Sequence, residues 1–415
     1  MPVYSYTFRD PAGGMQKGTA EAENEEVLRK RFEEQGFVVT EVGVIKAKGT
    51  KQKQYGKVKL GNLAVFCRQF STMVDAGVSL VRCLDVLGMQ TQDPKLKKIL
   101  VEVGTRVESG ESLSKAMQRH PRTFSNLFIG LIRAGEIGGV LEESLQRLSQ
   151  FLEKDVELRR KVKSAMTYPV LVATLATGIV TFLIAWFVPQ WKKILDDLLG
   201  KGAQLPAPTQ FLVDISSLFQ NNWYYLVGGI IITVTSYKLF VSTRFGRRTA
   251  DRVKLKIPVF GKLHHKVCMA RFSRTMGTLL TSGVPILQAM ETVAGTVGNS
   301  IMADAVLEAR ARIREGDRIG DPLEQSRLFP PMVVHMIGVC EESGSLDFML
   351  QKIADFYESE VEATLASLTA ALEPIMIVGL GFVVGFIVIS LFLPLVDVIS
   401  KLSAGGGGEG GGGGD

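Results

Sequence analysis

The sequence contains few of the residues that build metal and redox sites. Its 415 residues include only four histidines and four cysteines. The cysteines lie far apart without CxxC spacing, which excludes the usual zinc-finger, iron–sulfur and thioredoxin signatures. No HExxH motif is present, and the adjacent pair His264 and His265 does not have the spacing of metal ligands on one helical face. We therefore expect reduced, structural cysteines, no metal and no cofactor.

Motifs of the common enzyme classes are also missing. The sequence has no GxxxxGK[ST] loop, no GxSxG and no HRD-type loop. The chain is therefore not its own P-loop ATPase, and any ATP-driven work must come from a partner. We predict that it is not an enzyme.

Long stretches without charge are the most informative feature that is present. Residues 169–188, 215–237 and 374–396 carry no charged side chain over 20, 23 and 23 residues. About 20 helical residues cross a hydrocarbon core, so each run predicts a transmembrane helix. The second run begins with polar residues, which places its apolar part at 223–240. A buried core helix is the alternative interpretation of that run.

Basic residues flank these runs unevenly. They are frequent before the first run and after the second, whereas residues 189–222 hold three lysines against three aspartates. The positive-inside rule then predicts a cytoplasmic N-terminus, cytoplasmic residues 241–373, and an outward loop and C-terminal tail. The net charge of +6 is explained by these membrane flanks, and we predict no nucleic-acid partner. Residues 1–20 are not apolar, so no cleaved signal peptide is expected.

The first 45 residues alternate polar and apolar side chains between turn signals. They predict a small ββαβ module with a helix from Asn24 to Gln35 and a last strand from Phe37 to Val42. Residues 46–59 follow with six lysines and no acid, which is typical of a solvated linker. Two roles remain open for this linker: a plain tether, or a polybasic strip on anionic lipid headgroups.

Residues 60–168 and 257–373 have helical patterns and repeat one another. Matching positions keep an offset of 206 and, after a one-residue deletion, of 205: Arg68 with Arg274, Glu102 with Glu308, Arg106 with Arg312, Glu136 with Glu341, Gly139 with Gly344, and Pro169 with Pro374. Such a match over about 100 residues indicates a duplicated domain. The Glu–Arg positions within each copy predict i,i+4 ion pairs.

Each copy leads into a membrane segment through a stretch without glycine or proline, residues 141–168 and 346–373. Each stretch predicts one long helix that reaches the membrane at Pro169 or Pro374. Glu136 and Glu341 are placed in the Gly-rich turns before these helices. Two roles remain open for the carboxylates: capping a helix N-terminus, or contacting a basic partner and passing force into the long helix.

Several features together carry a resemblance to a known family: the ββαβ start, the FxR…GV openings of both repeats, the turns Gly135-Glu136-Ile137-Gly138-Gly139 and Glu341-Glu342-Ser343-Gly344, and the membrane entries Tyr168-Pro169 and Glu373-Pro374. In this combination the chain resembles the inner-membrane platform proteins of type IV pilus assembly. The same family, often called PilC/GspF, serves type II secretion. The Glu341-Glu342-Ser343 variant leaves the equivalent second-copy acid open.

The resemblance implies a non-enzymatic, oligomeric scaffold whose cytoplasmic domains are six-helix bundles. Its implied partners are hexameric assembly and retraction ATPases, pilin subunits, inner-membrane alignment proteins, membrane lipid and further copies of the chain. The candidate positions for partner contact or force transmission are Arg68, Glu136, Gly138, Gly139, Tyr168, Pro169, Arg274, Glu341, Gly344, Glu373 and Pro374. A type II secretion platform is the alternative function, followed by a membrane receptor or regulatory protein.

The resulting expectation is a mainly α, polytopic membrane protein in the bacterial inner membrane. Its predicted segments are the ββαβ module (1–45), the lysine linker (46–59), helical domain 1 (60–168), the first span (169–188), a periplasmic loop (189–222), the second span (223–240), helical domain 2 (241–373), the third span (374–396) and a Gly-rich outer tail (397–415).

Overall fold

The computed structural model describes residues 3–9, 15–21, 38–45, 56–200, 205–258 and 260–405, and these are mainly helical. The chain divides into two compact units, residues 1–57 with 118–123 and the remainder. Three parts of the predictions lie outside the described residues: the helix from Asn24 to Gln35, residues 46–55 of the linker, and the last ten residues of the tail.

Three antiparallel strands form the described part of residues 1–45 in the first unit. They are β1 (Val3–Arg9), β2 (Met15–Glu21) and β3 (Val38–Ile45), in the order β2-β1-β3. Val3 pairs with Glu21 on one side and with Ile45 on the other. The register to β3 shifts between Thr7 and Phe8. A strand is therefore present over residues 38–42 of the one expected at 37–42, and it extends three residues further, while Phe37 lies outside the described residues.

The second unit contains both repeats. The first repeat comprises α1 (Leu60–Asp75), α2 (Leu80–Gln90), α3 (Pro94–Glu108), α4 (Leu113–Gln118), α5 (Asn126–Gly138) and α6 (Leu141–Phe182). The second comprises α11 (Phe260–Thr281), α12 (Ile286–Thr296), α13 (Ser300–Arg314), α14 (Gly320–Gln325), α15 (Pro331–Ser343) and α16 (Leu346–Gly405). Helices α2 and α3 begin and end at the positions that the 206-residue offset assigns to α12 and α13.

Equivalent residues build equivalent local structure in the two repeats. The Asp93 carboxylate caps α3 by accepting the N–H groups of Lys95 and Leu96, and the amide oxygen of Asn299 caps α13 in the same way. Both caps satisfy donors that the first helical turn leaves free. The repeat read from the sequence is therefore a repeat of structure.

One predicted ion pair is confirmed and its counterpart is wrong. Arg106 lies 3.3 Å from Glu102 and 3.4 Å from Glu111. In the second repeat Arg312 pairs with Asp317 at 3.0 Å, the residue that matches Glu111. The acid beyond the turn holds the arginine in both copies, because a positive-φ glycine, Gly110 or Gly316, folds that acid back toward the helix.

Between the repeats, helix α6 continues without a break through a π-turn (Leu183–Phe187) into α7 (Val188–Leu199). Helices α8 (Ala207–Asn221), α9 (Trp223–Ser242) and α10 (Arg244–Lys256) follow. The predicted loop 189–222 is thus wrong in its local structure, since α7 and α8 occupy most of it. The helix that carries the third apolar run continues beyond the predicted span, because α16 remains helical to Gly405.

Two helices among the described residues are long and apolar enough to cross a membrane, Leu141–Leu198 and Leu346–Ser400. A shorter apolar helix covers Val227–Ser242, inside the predicted second span. Many large apolar side chains on these helices are exposed, among them Leu171, Phe182, Ile232, Phe382 and Phe392. A hydrocarbon environment accounts for such a surface.

Candidate functional site: the repeat hairpins and the paired long helices

Glu136 lies in the last turn of α5 and joins it to α4. Both of its carboxylate oxygens accept the backbone N–H of Ser114, each at 3.2 Å. Ser114 is the second residue of α4, so its N–H has no partner within that helix. The carboxylate therefore caps a short helix that precedes it by 22 residues.

Glu341 makes the same contact in the second repeat. Its carboxylate oxygens accept the backbone N–H of Ile319 at 3.0 and 2.9 Å, directly before α14. The separation is again 22 residues. Glu342, in contrast, points to Arg318 at 2.8 Å. The structure thus identifies Glu341 as the equivalent of Glu136.

The expected position of the two acids is wrong. Both were placed in turns ahead of the long helices, but they lie inside α5 and α15. Only Gly139 and Gly344 form the turns, with φ of +69° and +74°, where a side chain would be strained. Gly138 remains helical as the last residue of α5. A positive-φ glycine therefore lies at the turn of each hairpin, and a carboxylate on the helix before the turn bonds a backbone N–H 22 residues earlier.

The hairpin of the first repeat carries an apolar tip. Ile137 is 83% exposed and Val140 is 47% exposed, on either side of Gly138 and Gly139. The corresponding stretch of the second repeat, Glu342 to Ser345, is polar. The two hairpins thus share the hydrogen bond to a short helix earlier in the repeat, and they differ in the surface that they present.

Arg68 and Arg274 face equivalent acids on the long helices. Arg68 lies 3.6 Å from Glu153, and Arg274 lies 2.9 Å from Glu358 and 2.5 Å from Asp355. Burial lowers the pKa of Arg274, but its hydrogen bonds and charge interactions with both acids outweigh burial and raise that pKa. The Arg68 side chain is 74% exposed and the Arg274 side chain only 16%. The equivalent ion pair is therefore exposed to solvent in the first repeat and largely shielded from it in the second.

The predicted membrane entries lie within continuous helices. Tyr168 and Pro169 are part of α6, and Glu373 and Pro374 are part of α16. Proline removes one intrahelical hydrogen bond, yet neither helix ends there. Pro169 is buried, whereas Pro374 is exposed.

Two further prolines, Pro189 and Pro394, each leave one main-chain carbonyl of a long helix without its helical N–H donor. Each lacks the N–H that would bond the carbonyl four residues earlier, which is Ala185 or Ser390. Helix α8 supplies both missing donors. The Thr209 hydroxyl donates to the carbonyl of Ser390, and Gln220 donates its side-chain N–H to the carbonyl of Ala185 at 3.4 Å.

Apolar packing reinforces this junction. Val188, Leu212, Val213, Ile387 and Leu391 form one buried cluster of α7, α8 and α16. The indole N–H of Trp191 donates to the carbonyl of Leu391 at 2.9 Å. Helix α8 thus fastens the two long helices to each other.

The two long helices lie side by side in a parallel arrangement. Lys161 contacts Glu362, and about 30 residues further along both helices Trp191 contacts Leu391. Because both contacts join residues about 200 positions apart, the helices run in the same direction. Sequence reasoning missed the α8 junction, although Pro189 and Pro394 occupy equivalent positions in the two repeats.

The described residues contain no group of three or more histidine, cysteine or acidic side chains that could hold a metal ion. What the arrangement can do is mechanical: it joins two helical domains to two apolar helices through uninterrupted backbone.

Comparison with known proteins identifies the family. The sequence profile described as type II secretion system (T2SS), protein F matches residues 66–189 and again residues 272–394. The chain belongs to this family. The profile of the N-terminal domain of type II secretion system protein F matches residues 1–43. Each match to the main profile begins in the first helix of a repeat and ends next to Pro189 or Pro394, so this family's repeated unit includes both the domain and its apolar helix.

Relatives of this protein F-family member include pilus and secretion proteins. A type IV pilus assembly protein PilC of Thermus thermophilus is 43% identical over 411 residues, covering 97% of this chain and 100% of the relative. A PilC of Myxococcus xanthus is 41% identical, covering 94% of each chain. A type II secretion system protein F of Vibrio cholerae is 33% identical, covering 97% of this chain and 100% of the relative.

Proposed function

We propose that this chain is the inner-membrane platform protein of type IV pilus biogenesis. In this proposal it is a non-enzymatic scaffold that couples cytoplasmic assembly and retraction ATPases to the insertion or removal of pilin subunits. Inner-membrane alignment proteins, membrane lipid and further copies of the chain complete the set of partners. The identities of 43% and 41% with pilus assembly proteins, against 33% with a secretion protein, favour the pilus branch.

The observation that carries this proposal is the direct connection between domain and membrane helix. Leu141–Leu198 is one uninterrupted helix of 58 residues, or about 87 Å at 1.5 Å per residue. Its first part packs in the helical bundle and its last part is apolar. A displacement of the cytoplasmic domain is therefore transmitted to the membrane segment without an intervening hinge.

The parallel long helices support a three-span topology. Two neighbouring helices that cross a membrane in the same direction need a return crossing between them. Helix α9 supplies an apolar stretch of about the required length, and the basic helix α10 follows it. In this proposal the N-terminus and both repeats lie in the cytoplasm and the C-terminus lies in the periplasm, as the basic flanks also favour.

The proposed domain limits remain those expected from the sequence, with the outer segment 189–222 as a helical hairpin rather than a loop. The ββαβ module at 1–45 stands before them, and its strands β1, β2 and β3 support the proposal. Residues 46–59 remain a tether or a lipid-binding strip.

We place the ATPase contact of the first repeat at the tip formed by Ile137, Gly138, Gly139 and Val140. This tip precedes Pro169 by about 28 residues of helix, which puts it about 42 Å from the proposed membrane entry. An exposed apolar surface at the end of a bundle is suited to a protein partner. Glu136 holds the tip in place through its bond to Ser114.

The experiment compares an Ile137→Ser, Val140→Ser variant with a Val101→Ser control, which removes an exposed valine from α3. We expect normal membrane insertion in both, with loss of ATPase co-purification and surface pili only in the tip variant. Equal co-purification in both would place the contact elsewhere.

The branch of the family is tested by deleting the gene. Loss of surface pili with normal protein secretion supports the pilus function. Loss of secretion with normal pili would support the alternative, a type II secretion platform, which the 33% identity with protein F of Vibrio cholerae favours.

A further inference from the structure

Equivalent faces of the two repeats differ in their exposure. On α1, Val65, Arg68 and Gln69 are exposed. On α11, the equivalents Arg271 and Arg274 are half-buried, and Thr275 is completely buried. Since the repeats share one fold, something must cover the face of α11 that does not cover the face of α1.

The cover is helix α6 of the first repeat. Its Asp155 lies 3.6 Å from Arg271, and its Lys161 pairs with Glu362 on α16. Phe151 and Leu158 line a residual cavity of only about 20 Å³ together with Ala270 and Arg271. The long helix of the other repeat therefore occupies the groove between α11 and α16 at this level, and cavities of about 490 and 450 Å³ remain further along α6.

Among the described residues of the second unit, no helix covers the matching groove of the first repeat. This groove lies between α1 and α6, has a volume of about 780 Å³ and is lined by Val65, Arg68, Glu153, Val156 and Arg160. Three of these positions, Val65, Arg68 and Glu153, match Arg271, Arg274 and Glu358, which lie against α6 in the second repeat. A helix with the docking face of α6 is thus the occupant for which this groove is shaped.

Helix α16 presents the equivalent face outward, with Glu360 half-buried and paired with Lys266 at 2.7 Å. The residues matching Phe151, Lys154 and Leu158 are Phe356, Ser359 and Ala363, and all three are exposed. Phe356 alone is 45% exposed. Small side chains around one aromatic ring allow close helix approach.

We propose that α16 of a second copy of this chain docks in the groove between α1 and α6, repeating between chains the packing that joins the two repeats within one chain. Glu360 then takes the place of Asp155 and lies against Val65, with the exposed Arg68 one turn away. The contact is head-to-tail, since the donor and acceptor surfaces differ.

Membrane insertion restricts the assembly that this contact can build. The long helices of neighbouring copies must stay parallel, as α6 and α16 are within one chain. Successive copies are then related by rotation about the membrane normal, which gives a planar ring and not a filament. This inference specifies the self-association included in the proposed function and rests on it, but it does not depend on whether the complex serves pili or secretion.

The test uses a short bifunctional maleimide cross-linker in native membranes. Copies carrying Val65→Cys are co-expressed with differently tagged copies carrying Glu360→Cys. The four native cysteines are buried, which keeps their background reaction low. We expect a cross-link between the two tags, and an intramolecular cross-link in an Asp155→Cys, Arg271→Cys positive control. Replacing Val65→Cys by Val101→Cys, an exposed position on α3, gives the matched negative control.

A second measurement changes the charge of the groove. Val65→Arg recreates the Arg271 partner for the acid at 360, and Val65→Asp opposes it. We expect the dissociation constant between copies to rise about tenfold from the arginine to the aspartate variant. Equal self-association of the two variants, or a Val65→Cys signal no stronger than that of Val101→Cys, would overturn the proposal. If either of these outcomes is found in cells with normal pili, only the proposed docking surface is overturned, and the platform function stands.

Discussion

The hydroxyl of Thr209 donates a hydrogen bond to the main-chain carbonyl of Ser390, the acceptor that Pro394 leaves without a helical donor. Both residues are almost completely buried. Water therefore cannot replace the donor if the hydroxyl is removed.

We expect Thr209→Val to destabilise the protein by about 1–2 kcal/mol, because an acceptor is left unsatisfied in a buried apolar junction. Thr209→Ser should retain most of the stability. Thermal unfolding in detergent measures the effect. The control is Thr233→Val, which removes an exposed hydroxyl that bonds only within its own helix. A loss no larger than that of the control would show that the junction does not depend on this bond.

The carboxylate of Glu136 should act mainly as a helix cap. Glu136→Gln keeps one acceptor oxygen, so we expect a loss of about 0.5–1 kcal/mol, while Glu136→Leu removes both acceptors and should cost about 1–3 kcal/mol. The same order is expected for Glu341, with the exposed Glu342→Gln as control. Unfolding of the full chain gives the stability, and counts of surface pili give the function. Loss of pili in a Glu→Gln variant of unchanged stability would instead support a partner contact.

The protein should lose stability as the pH falls below 6.5. Burial lowers the pKa of His264 from its ordinary value of 6.5, with Lys254, Arg271 and His265 acting in the same direction and Asp251 opposing them. The unfolded chain therefore takes up the proton first, and protonation favours unfolding. Unfolding scans between pH 7.5 and 5.5 measure the slope. His264→Asn should flatten it, whereas His335→Gln, at an exposed position, should not.

Reporter fusions should confirm three crossings. A reporter that is active only outside the cytoplasm should work after Gly202 and after Lys401 and should fail after Gly316. Activity after Gly316 would contradict the return crossing assigned to α9.

The repeat made much of the fold predictable from the sequence. Constant offsets between copies fixed the equivalence of α2 with α12 and of α3 with α13, and the lack of glycine and proline at 141–168 predicted the long helix that begins at Leu141. Local rules suffice here, because each helix is bounded by its own turn and cap residues.

Contacts across the fold were not predictable in the same way. The partner of Glu136 is an N–H group 22 residues earlier, and spacing within one helix gives no sign of it. The sequence showed that an acid recurs at Glu341, but it did not show that this acid makes the same hydrogen bond. The role of Thr209 requires knowing that α8 lies beside Pro394, which depends on tertiary packing. The burial of Arg274 likewise depends on which helix fills its groove.

The two parallel long helices contact each other at two levels about 30 residues apart, through Lys161 with Glu362 and through Trp191 with Leu391. Sliding one helix along the other by a single turn, about 5.4 Å, would break both contacts at once. Tilting or swivelling the pair together would break neither. The two contacts thus resist relative sliding of the long helices, so the pair is expected to move as one unit, and a displacement of either cytoplasmic repeat is shared by both apolar segments.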